Sequence, residues 1–240
     1  MRYRPAPVLG AAFIILPFLS ASAGASTIEA LFVKVTPWMW FEYSADGGAN
    51  YVEEIVGQYR WTRTGGDHAG PPQGEFFSFC IEISQNVVYQ QVHRFDVVDL
   101  ADAPQPGGMG VGAGMGQDKA DLLRELWARR IGDVVGPQTA AAFQIGVWEV
   151  VYDDGLSLAD GSFRARYPAL PEVALAQSWL DGLTGNGPFA PLMAMSSPEY
   201  QDHLILVPLP SAVWGGAVLL AAMAIVTRRA SRRAAAAMAL

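Results

Sequence analysis

Between Thr139 and Val151 the chain reads Thr-Ala-Ala-Ala-Phe-Gln-Ile-Gly-Val-Trp-Glu-Val-Val. Pro137 precedes this run and Asp153-Asp154-Gly155 follows it, a start and a stop that predict a helix from 137 to about 152. Ala140 to Phe143, Ile145, Val147, Trp148, Val150 and Val151 make that helix apolar on nearly every side, so it has to be buried. Two helices are expected around it. One runs from Asp118 through Arg130, with Leu122, Leu123, Leu126 and Trp127 as its apolar stripe and Glu125–Arg129 as an i,i+4 pair. The other starts at Pro171 and carries Leu175, Trp179, Leu180 and Leu183. Residues 26–100 read as strands instead: Ile28–Val35, Trp38–Tyr43, Tyr51–Trp61, Glu75–Ile83 and Val87–Leu100, separated by Asp46-Gly47-Gly48, Gly65-Gly66-Asp67 and Gly70-Pro71-Pro72. A last strand is expected over 202–207, and a glycine-rich loop over 104–117. Strands segregated from helices predict one α+β domain over 26–206, a β-rich half packed with a small helical subdomain.

Two residues do not fit a plain apolar core. Gln144 interrupts the most apolar helix, and burying a primary amide without partners costs roughly 1–3 kcal/mol. Ala140, Ala141 and Gly146 are small and leave room for another segment to approach it. Cys80, within Phe76-Phe77-Ser78-Phe79-Cys80-Ile81-Glu82-Ile83, is the single cysteine of the chain, so no disulfide scaffold is available. A lone cysteine in an exported protein either has chemistry of its own or serves as a small buried hydrophobe.

A Phe-Cys-Ile-Glu strand followed by Gln-x-x-x-Trp on an apolar helix resembles the Cys-Gln thioester domain of bacterial surface adhesins. The helical motif of that family commonly reads Thr-Gln-x-Ala-Ile-Trp, where this chain has Phe143-Gln144-Ile145-Gly146-Val147-Trp148. The resemblance implies that the Cys80 thiol attacks the Gln144 side-chain carbonyl, releases ammonia and leaves a thioester between strand and helix. An arriving amine or hydroxyl then displaces Cys80 and becomes covalently attached. Glu82, Trp148 and Glu149 are candidate supporting residues, the two glutamates as proton carriers. Gln85 is a competing partner for Cys80, but an extended strand carries it about 17 Å away. A thioester spent once does not make a turnover enzyme.

The ends read as sorting signals. Residues 1–25 combine basic Arg2 and Arg4, the apolar run Val8–Leu19 and the small residues Ser20–Ala25, the pattern of a cleaved signal peptide. Residues 207–240 begin Val207-Pro208-Leu209-Pro210, continue with 15 uncharged residues, 212–226, and end in Arg228, Arg229, Arg232 and Arg233. A helix over 212–226 is about 22 Å long, short of a hydrocarbon core of about 30 Å, and inserts with its arginines at the cytoplasmic headgroups. This tail resembles the VPLP variant of the PEP-CTERM sorting signals, with Leu209 where that family usually has an acid. The resemblance implies an exosortase-type processing enzyme as partner, the inner membrane as first address and the cell surface or matrix as the last.

Of the 16 Lys and Arg, six lie in those two ends, while all 23 acids lie between them. So acidic a domain disfavours nucleic acid. No Gly-Lys-Ser/Thr follows the glycine loop, so a phosphate-binding loop is not expected. His68, His93 and His203 lack metal-ligand spacing, and no cofactor or metal is expected. The expected function is an exported, membrane-tethered surface protein that attaches covalently to a surface or matrix target. The alternatives are a matrix or biofilm structural protein with a buried free cysteine, and a hydrolase pairing Cys80 with His93.

Overall fold

The computed structural model describes residues 26–104, 114–207 and 223. The expected signal segment, most of the glycine-rich loop and the expected membrane helix, Met223 excepted, lie outside the described residues, as do Pro208, Leu209, Pro210, Arg228 and Arg229. No helix among the described residues is long and apolar enough to cross a membrane.

Among the described residues, seven strands and three α-helices make an α+β fold. The strands are β1 (Ser26–Ser44), β2 (Val52–Gly65), β3 (Gly74–Cys80), β4 (Val92–Asp99), β5 (Arg164–Ala165), β6 (Leu192–Ser196) and β7 (His203–Leu206). The helices are α1 (Gln117–Arg130), α2 (Pro137–Tyr152) and α3 (Pro171–Leu180). β1 pairs with both β2 and β4, β2 with β3, β3 with β7, β7 with β6, and β6 with β4, all antiparallel. Six strands therefore close into a barrel, although β1 from Val33 to Phe41 pairs on one side only, with β2. β5 lies beside the far end of β1, at Tyr43 and Ser44.

Closure depends on β1. The two expected strands, Ile28–Val35 and Trp38–Tyr43, are one strand of 19 residues. Its register against β2 shifts between Glu29 and Ala30, Phe32 and Lys34, and Val35 and Trp38. Such irregularities bend and twist a strand, so one chain segment serves β4 with its first half and β5 with its last. The expected strand over 87–100 begins only at Val92, and β6 had no sequence expectation behind it.

The barrel interior is aromatic. Trp61 is fully buried, its ring 5.1 Å from Phe32, 5.6 Å from Phe95 and 5.1 Å from His203. Its Nε1 donates to Ser78 Oγ at 2.8 Å, and that hydroxyl meets His203 Nδ1 at 3.1 Å. Burial pushes the His203 pKa down to about 3, so the ring is neutral inside the barrel.

α2 lies between the barrel and the other two helices. Every residue from Ala140 to Val151 is buried, as the sequence requires. Thr139 Oγ1 accepts the N–H groups of Val135 and Gly136 at 3.0 Å each, closing the helix start. A Cβ at Gly146 would stand 3.4 Å from Leu126 Cδ2 and 3.9 Å from Leu180 Cδ2. The space that Gly146 leaves is thus filled by α1 and α3. It lies about 200° around the helix from Gln144, not beside it, because each residue turns the helix about 100°. Buried Glu125 of α1 anchors the segment after α3: its carboxylate accepts N–H groups from Thr184 at 3.0 Å and Gly185 at 2.7 Å and pairs with Arg129 at 2.7 Å.

Candidate functional site

Cys80 is the last residue of β3. Its neighbours on the two sides of the sheet run out at different points. The β2 ladder ends at Tyr59–Ser78, whereas β7 continues to the Cys80–His203 pair. The next ladder bond toward β7 is made by Ile81 N, to Asp202 O at 2.9 Å. Cys80 is therefore left with its own N–H and C=O facing the side that β2 has vacated.

Gln144 fills that vacancy. Its Oε1 accepts from Cys80 N at 2.9 Å, and its Nε2 donates to Cys80 O at 2.7 Å. The side-chain amide occupies the place of a missing strand, and both residues are wholly buried. The sequence singled out these two residues, and the structure brings them together across 64 positions of chain. Gln85 is held elsewhere, its Nε2 reaching Pro198 O at 3.5 Å.

The sulfur sits in the turn just beyond the strand. Sγ donates to Glu82 O and accepts from Glu82 N at 3.2 Å. Burial pushes the Cys80 thiol well above its ordinary range. The Glu82 main chain and the Trp148 indole act the other way, while the charges of Glu82 and Asp202 add to the rise. Cys80 is thus a neutral thiol at pH 7, with no histidine among its hydrogen-bond partners. His93 bonds Val88 O at 2.9 Å and meets Tyr200 edge to face at 4.4 Å, and it makes no hydrogen bond to Cys80, the pairing that the hydrolase reading requires.

The supporting residues take different places. Trp148 stands one turn beyond Gln144 on the same face, fully buried, with its indole turned to the Cys80 thiol. Glu82 touches the sulfur through its main chain, while its carboxylate is held by Ser84 Oγ. Glu149 is buried, and burial followed by the Asp153 charge raises its carboxyl to about 8. It is therefore protonated at pH 7, and it faces the Asp153–Ser157 segment.

Four residues at the site had escaped sequence reasoning. Tyr152 extends the line Gln144–Trp148–Tyr152 at steps of four, a periodicity visible in the sequence, and its hydroxyl accepts from Ile83 N at 2.9 Å. Tyr43 lies 5.3 Å from Trp148, and burial raises its hydroxyl to about 12. Gln201 Nε2 donates to Glu82 O at 2.8 Å, fixing the turn that holds the sulfur. Asp202 is buried beside it, raised to about 7 by that burial. No sequence signal marks the last two, since barrel closure alone brings β7 to β3. Tyr43 and Tyr152 also line an open groove of about 460 Å³, with Ala45, Asp46, Asn50, Val52, Ile83 and Ser84. The groove thus reaches residues that touch the Cys80–Gln144 surroundings from outside. Among the described residues no cluster of three or more His, Cys, Asp or Glu is placed to hold a metal ion.

No family model matches this chain, and no curated protein matches it. Among solved structures, the N-terminal thioester domain of a surface protein from Clostridium perfringens aligns with a TM-score of 0.40 and 12% identity, covering 75% of this chain and 99% of that one.

Proposed function

We propose that Cys80 and Gln144 condense to an internal thioester, and that this is a cell-surface protein which spends the bond once to attach itself to an amine or hydroxyl on a target. The observation that carries this reading is the double hydrogen bond holding the Gln144 amide against the Cys80 main chain, beside its thiol. A carboxamide is a poor electrophile, so proximity and a waiting oxyanion donor are what the reaction needs. Cys80 N–H already donates to Oε1, the oxygen on which negative charge builds as sulfur adds to the carbonyl carbon. The S–C bond forms, the C–N bond breaks, and the thiol proton leaves with the amide nitrogen as ammonia. A thiol kept neutral by burial has that proton to give. The same burial keeps water from the product until a target enters by the Tyr43–Tyr152 groove. When an amine then attacks the carbonyl carbon, the C–S bond breaks and the amine's proton passes to the sulfur.

The tail completes the proposal: the segment from Val207 onward, with Arg228 and Arg229, addresses the protein through the inner membrane to an exosortase-type enzyme and the surface. The second reading is a structural matrix protein whose reduced Cys80 is only core. It is favoured by the fact that the two hydrogen bonds already satisfy Gln144 without any covalent step. Intact-mass measurement separates the two. The thioester protein weighs one ammonia less than its sequence and resists iodoacetamide at Cys80 until methylamine is added, after which Gln144 carries the adduct. Full sequence mass under native conditions, together with no methylamine adduct, would refute the covalent reading.

A further inference from the structure

The outer face of the barrel carries a stripe of exposed aromatic rings. Trp38 is 42% exposed and Trp40 54%, two residues apart on one face of β1. Their rings meet edge to face, centroids 5.7 Å apart, so each indole keeps a face free. Next on that face is Glu42, whose Oε2 pairs with Arg166 Nη1 at 2.8 Å. The Arg166 guanidinium lies over Tyr51 at 5.4 Å and over Tyr167 at 5.5 Å, rings 37% and 49% exposed. From Trp38 to Glu42 the strand rises about 13 Å, and the tyrosines extend the stripe beyond it. Across the ladder Glu42 faces Glu53.

Exposing two indoles side by side keeps a large apolar area in water, which in a soluble domain marks an interaction surface. We infer that this stripe binds a neutral glycan chain. A pyranose ring has one face of C–H bonds, which stacks on an aromatic face, and a rim of hydroxyls, which need donors and acceptors in fixed positions. The stripe supplies both: flat rings in a row, and a carboxylate and guanidinium locked together among them. The charge balance selects the class. Glu42 and Glu53 are matched by Arg166 and by Arg164, whose guanidinium lies with the Tyr51 hydroxyl beside Gly48, so the face carries no net charge to hold polyuronates or anionic bilayers. The edge of β1 away from β2 is open from Val33 to Phe41, so a second copy pairing there is the rival occupant that the test separates. Binding here is non-covalent and independent of the thioester.

Affinity electrophoresis of the purified protein through gels containing hydroxyethylcellulose or dextran, with co-sedimentation on cellulose and chitin, tests the inference. Retention is expected on at least one of these neutral glycans and not on polygalacturonate. Trp40→Ala and Trp38→Ala should each weaken it by about tenfold or more, Trp40→Phe by less, and Val135→Ser, at an 85% exposed site before α2, not at all. Unchanged thermal melting of Trp40→Phe and of Tyr167→Ala keeps folding out of the comparison. Retention on none of the four glycans, or retention undiminished in both tryptophan variants, overturns the inference. So does binding to phosphatidylglycerol vesicles, or self-association, that disappears in Trp40→Ala while no glycan is held.

Discussion

If Cys80 and Gln144 are joined, methylamine removes the joint and changes no side chains but those two. The consequence for stability follows from the chain separation. A bond between positions 64 apart restricts the unfolded chain as a disulfide would, and the chain-entropy relation gives about 4 kcal/mol for a loop of that size. Opening it with methylamine should therefore lower the unfolding free energy by about 4 kcal/mol in urea titrations followed by tryptophan fluorescence. Gln144→Ala should lose more. Besides the crosslink it loses the acyl oxygen that accepts from Cys80 N–H, and it leaves that N–H buried without a partner, at about 1–3 kcal/mol. Gln144→Ala should also be indifferent to methylamine, since nothing remains to open. The two treatments thus separate the covalent part from the hydrogen-bonded part. A wild-type protein whose urea midpoint does not move with methylamine, while Gln144→Ala still falls by only the hydrogen-bond share, would refute the crosslink and leave Gln144 as a strand substitute alone.

Other outcomes follow from the buried acids. Glu149 is raised from 4.5 to about 8 in the folded protein, so between those values the unfolded chain loses its proton and the folded one keeps it. Stability should fall as pH rises through that window, by several kcal/mol in all. Glu149→Gln should flatten the profile and melt higher at pH 8, and an unchanged slope would count against it. Glu125 is the opposite case. Burial raises its pKa, but the Thr184 and Gly185 N–H groups and Arg129 outweigh this and hold it below its ordinary value. Glu125→Ala should cost about 2 kcal/mol, seen as a lower urea midpoint at pH 7, with the difference from wild type shrinking as pH falls below 4. Tyr152→Phe removes the acceptor of Ile83 N, and should speed methylamine capture as measured by released thiol, if the hydroxyl helps to close the turn between groove and sulfur. Replacing Arg228, Arg229, Arg232 and Arg233 by alanine should misroute or stall the exported protein, as checked by cell fractionation.

Part of this protein is written in local chemistry. The burial of α2 follows from a run with no polar face, its start from Pro137, and its end from Asp153-Asp154-Gly155. The importance of Gln144 follows from the cost of an amide in such a run, and that of Cys80 from its being single. These are properties of a residue and its near neighbours, and a sequence displays them directly. What tertiary structure alone decided is everything that depends on which strands meet. The barrel closes because β1 bends at its register shifts and carries partners on both sides, and two separate-looking segments become one strand. The vacancy that Gln144 fills exists because β2 stops pairing at Ser78 while β7 goes on to Cys80. Gln201 and Asp202 arrive at the sulfur's turn only through β7. The gap at Gly146, read in the sequence as room for a segment approaching Gln144, lies on the opposite side of the helix and admits α1 and α3. Long-range antiparallel pairing is set by backbone hydrogen bonds that any residue can make, so it leaves little trace in side-chain identity. A buried amide leaves a clear one, because few places in a fold can satisfy it.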